Sequence, residues 1–96
     1  MKSKIVVHPQ AEAFVRGLAP EPRRRLAQAI KRLPAGDTKA LEGRLSGYGR
    51  LRVGGYRVIY ADVVKEGVRT FQCLFAERRS FIYELFEQIL AEEALE

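Results

Sequence analysis

The sequence predicts a single α+β domain in which an N-terminal helix hairpin packs on a small, mainly antiparallel twisted sheet. Its 96 residues, 47% of them hydrophobic and 30% charged, are enough for one modest core, so one domain is expected over residues 1–96. Apolar residues recur at helical spacing in two early stretches, and the second half alternates with a period of two between glycine turns. The predicted element order is β-α-α-β-β-β-α, ending in a C-terminal helix.

The N-terminal third predicts one strand and two helices. The β-branched run over residues 4–8 is typical of a short strand, and Pro9 suits the first turn of a helix. The "APEP" segment at 19–22 ends this helix, and Pro22 can begin the next one. The apolar stripes of the two helices are Ala11, Phe14, Val15 and Leu18, then Leu26, Ala29, Ile30 and Leu33. Two such helices form a hairpin that can cover one face of a sheet.

The second half predicts three strands and a last helix. Residues 38–46 are interpreted as a connection, with Leu41 and Leu45 as anchors. The strands are predicted over residues 47–53, 56–64 and 68–77. Gly54-Gly55 separates the first two, because a glycine pair accepts the positive φ angles of a tight hairpin turn. Ser80 is the expected N-cap of a helix reaching residue 91, with its apolar stripe at Ile82, Leu85, Phe86 and Ile89.

The charge is unevenly distributed along the chain. The formal net charge is +5, but residues 84–96 hold five glutamates and no lysine or arginine. Residues 1–83 therefore carry all 17 basic side chains against seven acidic ones. A compact body with such an excess attracts polyanions, which predicts a nucleic-acid or ribonucleoprotein partner. The alternative is that the charge serves solubility alone.

The composition also argues against several classes of protein. A single cysteine, Cys73, excludes an internal disulfide, fits a reducing cytoplasm and is interpreted as buried packing. The sequence has no Cys/His cluster, so neither a metal nor another cofactor is expected. No apolar run approaches the ~20 residues of a membrane-spanning helix, so no membrane partner is expected.

Three arginines fall on one face of the predicted hairpin. A two-residue turn at Gly54-Gly55 pairs Val53 with Tyr56, Arg52 with Arg57, Leu51 with Val58, and Arg50 with Ile59. Because faces alternate along a strand, one face carries Leu51, Val53, Tyr56, Val58 and Tyr60, and the other Tyr48, Arg50, Arg52 and Arg57. Directly opposed arginines cost up to ~1 kcal/mol unless an anion lies between them, and no interleaved carboxylate is expected here. The arginine fork suits phosphate oxygens, so this face is interpreted as an anion site; a merely solvated face is the alternative.

The hairpin segment "LEGRLSGYGRLRVGGYRVIYADV" resembles that of the RelE/ParE superfamily of bacterial and archaeal toxins. The "AERRSFIY" segment at 76–83 is similar to the family's final basic motif and tyrosine, and the resemblance covers essentially the whole chain. It implies a cytoplasmic toxin that is neutralised by a cognate, co-encoded antitoxin. In the RelE branch it implies metal-free cleavage of messenger RNA in the ribosomal decoding (A) site. In the ParE branch it implies inhibition of DNA gyrase without cleavage.

The resemblance also implies roles for individual residues. Arg57 matches the family's phosphate-binding arginine, and Arg50 and Arg52 match basic positions on the preceding strand. The basic residue before the last helix is Arg78, with Arg79 beside it, and Tyr83 matches a tyrosine that orients or deprotonates the 2′-hydroxyl. The alternative for Tyr83 is core packing beside Phe86 and Leu90. The expected catalytic residues are Arg57, Arg50, Arg78 and Tyr83, and the expected RNA-binding residues are Arg52, Tyr48, Arg79 and Arg44.

Two positions depart from the family pattern. Tyr48 stands where some members have lysine, and Glu77 stands where the last motif often has His, Lys or Arg. Glu77 is either a base or an ion-pair partner of Arg78 or Arg79, so the general acid and base are unassigned. The favoured function is a toxin that cleaves messenger RNA on the ribosome by 2′-hydroxyl attack, with ribosomal RNA as a further contact. A ParE-like gyrase inhibitor and an inactive relative that only binds its antitoxin are the alternatives.

Overall fold

The computed structural model describes residues 3–84, 87, 88 and 91. The elements in chain order are β1 (Lys4–Val7), α1 (Pro9–Arg16), α2 (Pro20–Lys31), β2 (Asp37–Ala40), a 3₁₀ turn (Gly43–Leu45), β3 (Tyr48–Val53), β4 (Tyr56–Lys65) and β5 (Val68–Arg78). Residues 82–84, 87–88 and 91 are helical and continue the chain after β5. The predicted α+β class is confirmed. Among the residues described, no helix has the length and apolar character needed to cross a bilayer.

The sheet has five strands in the order β1-β5-β4-β3-β2. β1 runs parallel to β5, and the other neighbouring strands are antiparallel. The β3–β4 register is the predicted one, with Arg52 opposite Arg57 and Val53 opposite Tyr56. Gly54 has a φ of +58°, a left-handed conformation that a tight turn needs and that glycine adopts without a Cβ clash.

The helix-facing side of the sheet forms the main core. Leu51, Val58 and Phe71 are fully buried there against Leu26 of α2 and Ala11 of α1. The predicted apolar face of the hairpin is therefore confirmed. Burial in the same core raises the pKa of the Cys73 thiol to about 11, as expected for a packing cysteine rather than a reactive one.

A smaller apolar cluster lies on the opposite side, next to the arginines. Ile59 of β4 and Ile82 of the C-terminal helical segment are fully buried in it. Their half-buried neighbours are Leu41, Leu45, Tyr48 and Phe75. The helical segment begins at residue 82 rather than just after Ser80, because a turn intervenes in which the Phe81 amide donates to the Arg78 carbonyl. The rest of the predicted stripe, Leu85, Phe86 and Ile89, lies outside the described residues.

Strand β2 is the element that the sequence analysis missed. Its residues were interpreted as part of a connection, but Asp37–Ala40 pairs antiparallel with β3, from Asp37 opposite Arg52 to Ala40 opposite Gly49. The segment reads "DTKA", is mostly exposed and lacks alternation, so backbone pairing at the sheet edge is what defines it. This pairing places the Asp37 carboxylate on the arginine face.

Candidate nucleic-acid interface

The hairpin brings Arg52, Arg50 and Arg57 together on one face, in order of increasing burial. The Arg52 side chain is 55% exposed, that of Arg50 is 19% exposed, and Arg57 as a residue is 5% exposed. Their strand positions explain the common face, since Arg52 and Arg57 are directly opposed and Arg50 is two residues from Arg52. We call these three residues together with Arg79 the arginine cradle.

Arg57 is anchored beneath the hairpin turn. Its Nη1 donates to the carbonyl oxygens of Gly54 and Tyr56, each at 2.8 Å. Both of these hydrogen bonds use Nη1, so the backbone at the turn fixes the orientation of the guanidinium.

The electrostatics at Arg57 are set by burial and by neighbouring positive charges. Burial lowers the pKa of Arg57, and the positive charges of Arg52, Arg50 and Arg79 lower it further, while Tyr83 acts in the opposite direction. Among the described residues, no carboxylate lies within 4 Å of this guanidinium. An arginine remains charged in proteins, so a buried one surrounded by cations is stabilised by a bound anion.

The two arginines at the end of β5 lie on opposite sides of the sheet. Arg78 pairs with Tyr56, which packs against the helix-side core, whereas the Arg79 amide donates to the Gly55 carbonyl at 2.9 Å. The register shift between Ile59 and Tyr60 produces this arrangement. If the β4–β5 register found between Lys65 and Tyr60 continued without the shift, Arg78 would lie on the same face as Arg57. Of the two, Arg79 is thus the one whose charge acts on Arg57.

Glu77 lies directly opposite Arg57 on the neighbouring strand. Its carboxylate Oε2 accepts a hydrogen bond from the backbone amide of Arg78 at 2.7 Å. In the part of the chain that the structure describes, neither the Arg78 nor the Arg79 guanidinium is within 4 Å of it. The predicted ion pair with one of these side chains is therefore wrong, since the carboxylate binds the main chain instead.

Asp37 is the functional residue that the sequence analysis did not find. Its Oδ1 lies 3.4 Å from Arg50 Nη2, and its Oδ2 lies 4.0 Å from Arg52 Nε. The expectation of no interleaved carboxylate is therefore wrong. The only sequence signal was an acidic residue just after the "PAG" segment at 34–36, and its partners depend on an edge pairing that no local pattern reveals.

The other predicted residues have different placements. Tyr48 is half-buried and packs against the cluster of Ile59 and Ile82. Tyr83 is 38% exposed and influences Arg57, so its ring is not a fully buried core group; Phe86 and Leu90 lie outside the described residues. Arg44 lies in the 3₁₀ turn before β3, and its side chain is outside the description. Within the described ranges, no three His, Cys, Asp or Glu side chains converge as metal ligands.

The helix hairpin, the sheet order and the cradle together define a basic α+β domain with clustered arginines on the sheet face opposite the helix hairpin. Solved structures of RelE-like toxins share this fold. The RelBE2 toxin–antitoxin complex from Mycobacterium tuberculosis is similar at a TM-score of 0.67 and 20% identity, covering 82% of this chain and 100% of that one. The archaeal RelE–RelB complex from Pyrococcus horikoshii OT3 is similar at a TM-score of 0.63 and 26% identity, covering 82% and 97%.

The isolated RelE toxin from Escherichia coli is similar at a TM-score of 0.52 and 15% identity, covering 92% of this chain and 99% of that one. No protein-family model and no curated protein matches the sequence. The resemblance to the RelE/ParE superfamily is confirmed by these neighbours, and the fold is that of its RelE-like toxins.

Proposed function

We propose that this chain is the toxin of a toxin–antitoxin pair and that it cleaves messenger RNA in the ribosomal A site. The observation that carries the proposal is Arg57, a buried guanidinium among other cations with no carboxylate within 4 Å among the described residues. A cognate antitoxin is the proposed protein partner, since the similar solved structures include RelE–RelB complexes. Ribosomal RNA is the proposed further contact of the basic body.

The proposed reaction needs no group beyond the chain and the RNA. The 2′-hydroxyl oxygen forms a bond to the adjacent phosphorus, and the bond from phosphorus to the 5′-oxygen breaks. The products are a 2′,3′-cyclic phosphate and a 5′-hydroxyl, so one proton leaves the 2′-oxygen and one reaches the 5′-oxygen. Negative charge accumulates on the phosphoryl oxygens in between, and fixed guanidinium groups stabilise that charge.

The arginines of the cradle have different proposed roles, according to how deeply each side chain is buried. Arg57 is held by two carbonyl groups, so it is already oriented when the phosphate arrives. Arg50, Arg52 and Arg79 are proposed to hold the neighbouring backbone phosphates and add to the positive potential. Arginine is a poor proton carrier at neutral pH, so Tyr83 is the residue we assign to the 2′-hydroxyl proton.

The test is expression of the chain under tight control, with cleaved transcripts mapped by their 5′-hydroxyl ends. We expect codon-spaced cuts on translated messages that are abolished by Arg57→Ala. Arg69→Ala is the matched control, because Arg69 is exposed, paired with Asp62 and remote from the cradle in the sheet. Growth arrest with intact messages and a DNA-damage response would contradict cleavage and indicate a ParE-like inhibitor. The absence of arrest would indicate a relative that only binds its antitoxin.

A further inference from the structure

Asp37 occupies the position in the cradle where an anion would lie. Its two carboxylate oxygens are divided between two arginines, one oxygen 3.4 Å from Arg50 Nη2 and the other 4.0 Å from Arg52 Nε. The residue is directly opposite Arg52 in the β2–β3 register, so the edge strand delivers it to this face. A phosphate bridging the same two guanidinium groups would use the same space.

The Asp37 contacts are weak and incomplete. Its side chain is 58% exposed, and both distances are longer than the 2.7 Å of the Asp62–Arg69 pair on the same sheet. Exposed ion pairs of this length contribute little, because water screens them and the side chains remain mobile. The buried Nε of Arg50 has no acceptor among the described residues, so the carboxylate satisfies only one edge of that fork.

We propose that Asp37 is an internal counter-ion that occupies the anion position between Arg50 and Arg52 and competes there with a phosphate group of the RNA. The inference rests on the proposed function for the identity of the ligand. A phosphodiester has two anionic oxygens, as the carboxylate does, but it is not held by the edge strand. It can therefore approach the Arg50 Nε, which Asp37 leaves without an acceptor, and displace the carboxylate. Asp37 then sets how tightly the cradle holds RNA. Arg57, which has no carboxylate within 4 Å among the described residues, sets where the phosphate is held.

The test compares two substitutions that change the net charge equally. Asp37→Asn removes the proposed competitor, and Asp62→Asn removes a carboxylate paired with Arg69 away from the cradle. Asp37→Glu keeps the charge. The first probe is inorganic phosphate, followed through the Nε–H NMR signals of Arg50 and Arg52. The second is a 2′-O-methyl RNA oligonucleotide, which binds but lacks the nucleophile, followed by fluorescence anisotropy.

We expect Asp37→Asn to bind both probes about three- to tenfold more tightly than the parent chain, with the difference shrinking as salt screens exposed charges. Asp62→Asn should change binding less than about twofold, and Asp37→Glu should behave like the parent. Equal effects of the two Asn variants would overturn the inference, since net charge alone would explain them. So would weaker binding by Asp37→Asn, or phosphate leaving the Arg50 and Arg52 signals of that variant unmoved.

This outcome is separable from that of the proposed function. Neither probe is cleaved, so the absence of cut transcripts in cells would count against the nuclease and leave the competition measurement intact. Conversely, normal cleavage with identical binding by Asp37→Asn and Asp62→Asn would remove the role of Asp37 and retain the nuclease. Thermal unfolding of each variant confirms that binding is compared between folded proteins.

Discussion

The two ends of the β4–β5 strand pair each carry an arginine, and the surroundings of the two guanidinium groups shift their pKa values in opposite directions. Near the turn that joins β4 to β5, Arg69 binds both oxygens of Asp62, at 3.0 and 2.7 Å. Its guanidinium lies 4.8 Å from the centre of the Phe71 ring. That hydrogen-bonded carboxylate raises the pKa of Arg69. At the other end, burial and neighbouring cations lower the pKa of Arg57.

The contrast distinguishes an arginine paired with a carboxylate from one that lies among like charges. Arg69 has its counter-charge and an aromatic surface within its own fold, so nothing further is needed to stabilise it. Among the described residues, the hydrogen-bond partners of Arg57 are two neutral carbonyl groups, and Arg52, Arg50 and Arg79 add positive charge around it. The two arginines carry the same charge but differ in the partners of their guanidinium groups.

The largest expected effect is on the rate of RNA cleavage. Arg57→Ala should lower the rate on ribosome-bound message by about 10²–10³, the usual loss when one oriented donor to a developing oxyanion is removed. Arg57→Lys keeps the charge and loses the rigid fork, so it should recover only part of the rate. Arg69→Ala should stay within about twofold. Similar losses for Arg57→Ala and Arg69→Ala in a reconstituted translation assay would erase the distinction.

Next in size is the effect of the residues proposed to handle protons. Tyr83→Phe should lower the cleavage rate by about 10², within the range that general acid–base groups contribute. Glu77→Gln should change it only a few-fold, because that carboxylate binds the Arg78 amide. Single-turnover rates of both variants across pH provide the measurement. A larger loss for Glu77→Gln than for Tyr83→Phe would reverse the assignment.

Ligand-linked stability gives a third comparison. A non-cleavable oligonucleotide at a hundredfold excess over its Kd should stabilise the parent chain by about 2.7 kcal/mol, because it binds the folded state. The same concentration should stabilise Arg57→Ala far less, since the anchored guanidinium is gone. Arg69→Ala should gain as much as the parent. Thermal unfolding with and without the oligonucleotide would show this, and equal gains in all three proteins would contradict it.

The smallest expected effect is on the pH dependence of the unfolding free energy that the Asp62–Arg69 pair contributes. The hydrogen bond from Arg69 lowers the pKa of the Asp62 carboxyl below its usual value of about 3.9. A carboxyl with a depressed pKa contributes stability above its unfolded pKa, and loses it as the pH falls through the folded one. Asp62→Asn should therefore cost about a few tenths of a kcal/mol at neutral pH, where the pair is half exposed and screened.

That cost should vanish when the pH falls below the pKa of Asp62 in the folded protein. Urea unfolding at pH 7 and in the acid range would measure it, with Asp37→Asn as the comparison. A stability difference that persisted unchanged in acid would show that the Asp62 side chain acts through packing rather than charge.

Much of the fold could be predicted because local signals agreed. Gly54-Gly55 and the alternation around it fixed the β3–β4 register, and that register set which side each arginine faces. The edge strand β2 could not be predicted in the same way, since its four residues carry neither alternation nor an apolar face. Asp37 was missed with it, because its role depends on a pairing between segments distant along the chain.

The sides of the sheet on which Arg78 and Arg79 lie could not be predicted, for a different reason. A strand alternates its side chains strictly, so one extra residue anywhere along it reverses every later assignment. The register shift next to Ile59 arises from one extra residue in β5, between the partners of Ile59 and Tyr60. No glycine or proline marks this point in the sequence. The bulge follows from how β4 and β5 pack, which only the three-dimensional structure reveals.

The sheet order has a consequence for how copies of this chain meet one another. Its two outer strands, β1 and β2, have only four residues each. Lys4 and Lys39 put a charged, exposed side chain on each of them. A short edge strand offers few unpaired backbone groups to another molecule, and its lysine repels the same strand of a second copy. Both effects disfavour the growth of a continuous fibril. The two short, charged edge strands therefore disfavour edge-to-edge association between copies of this chain.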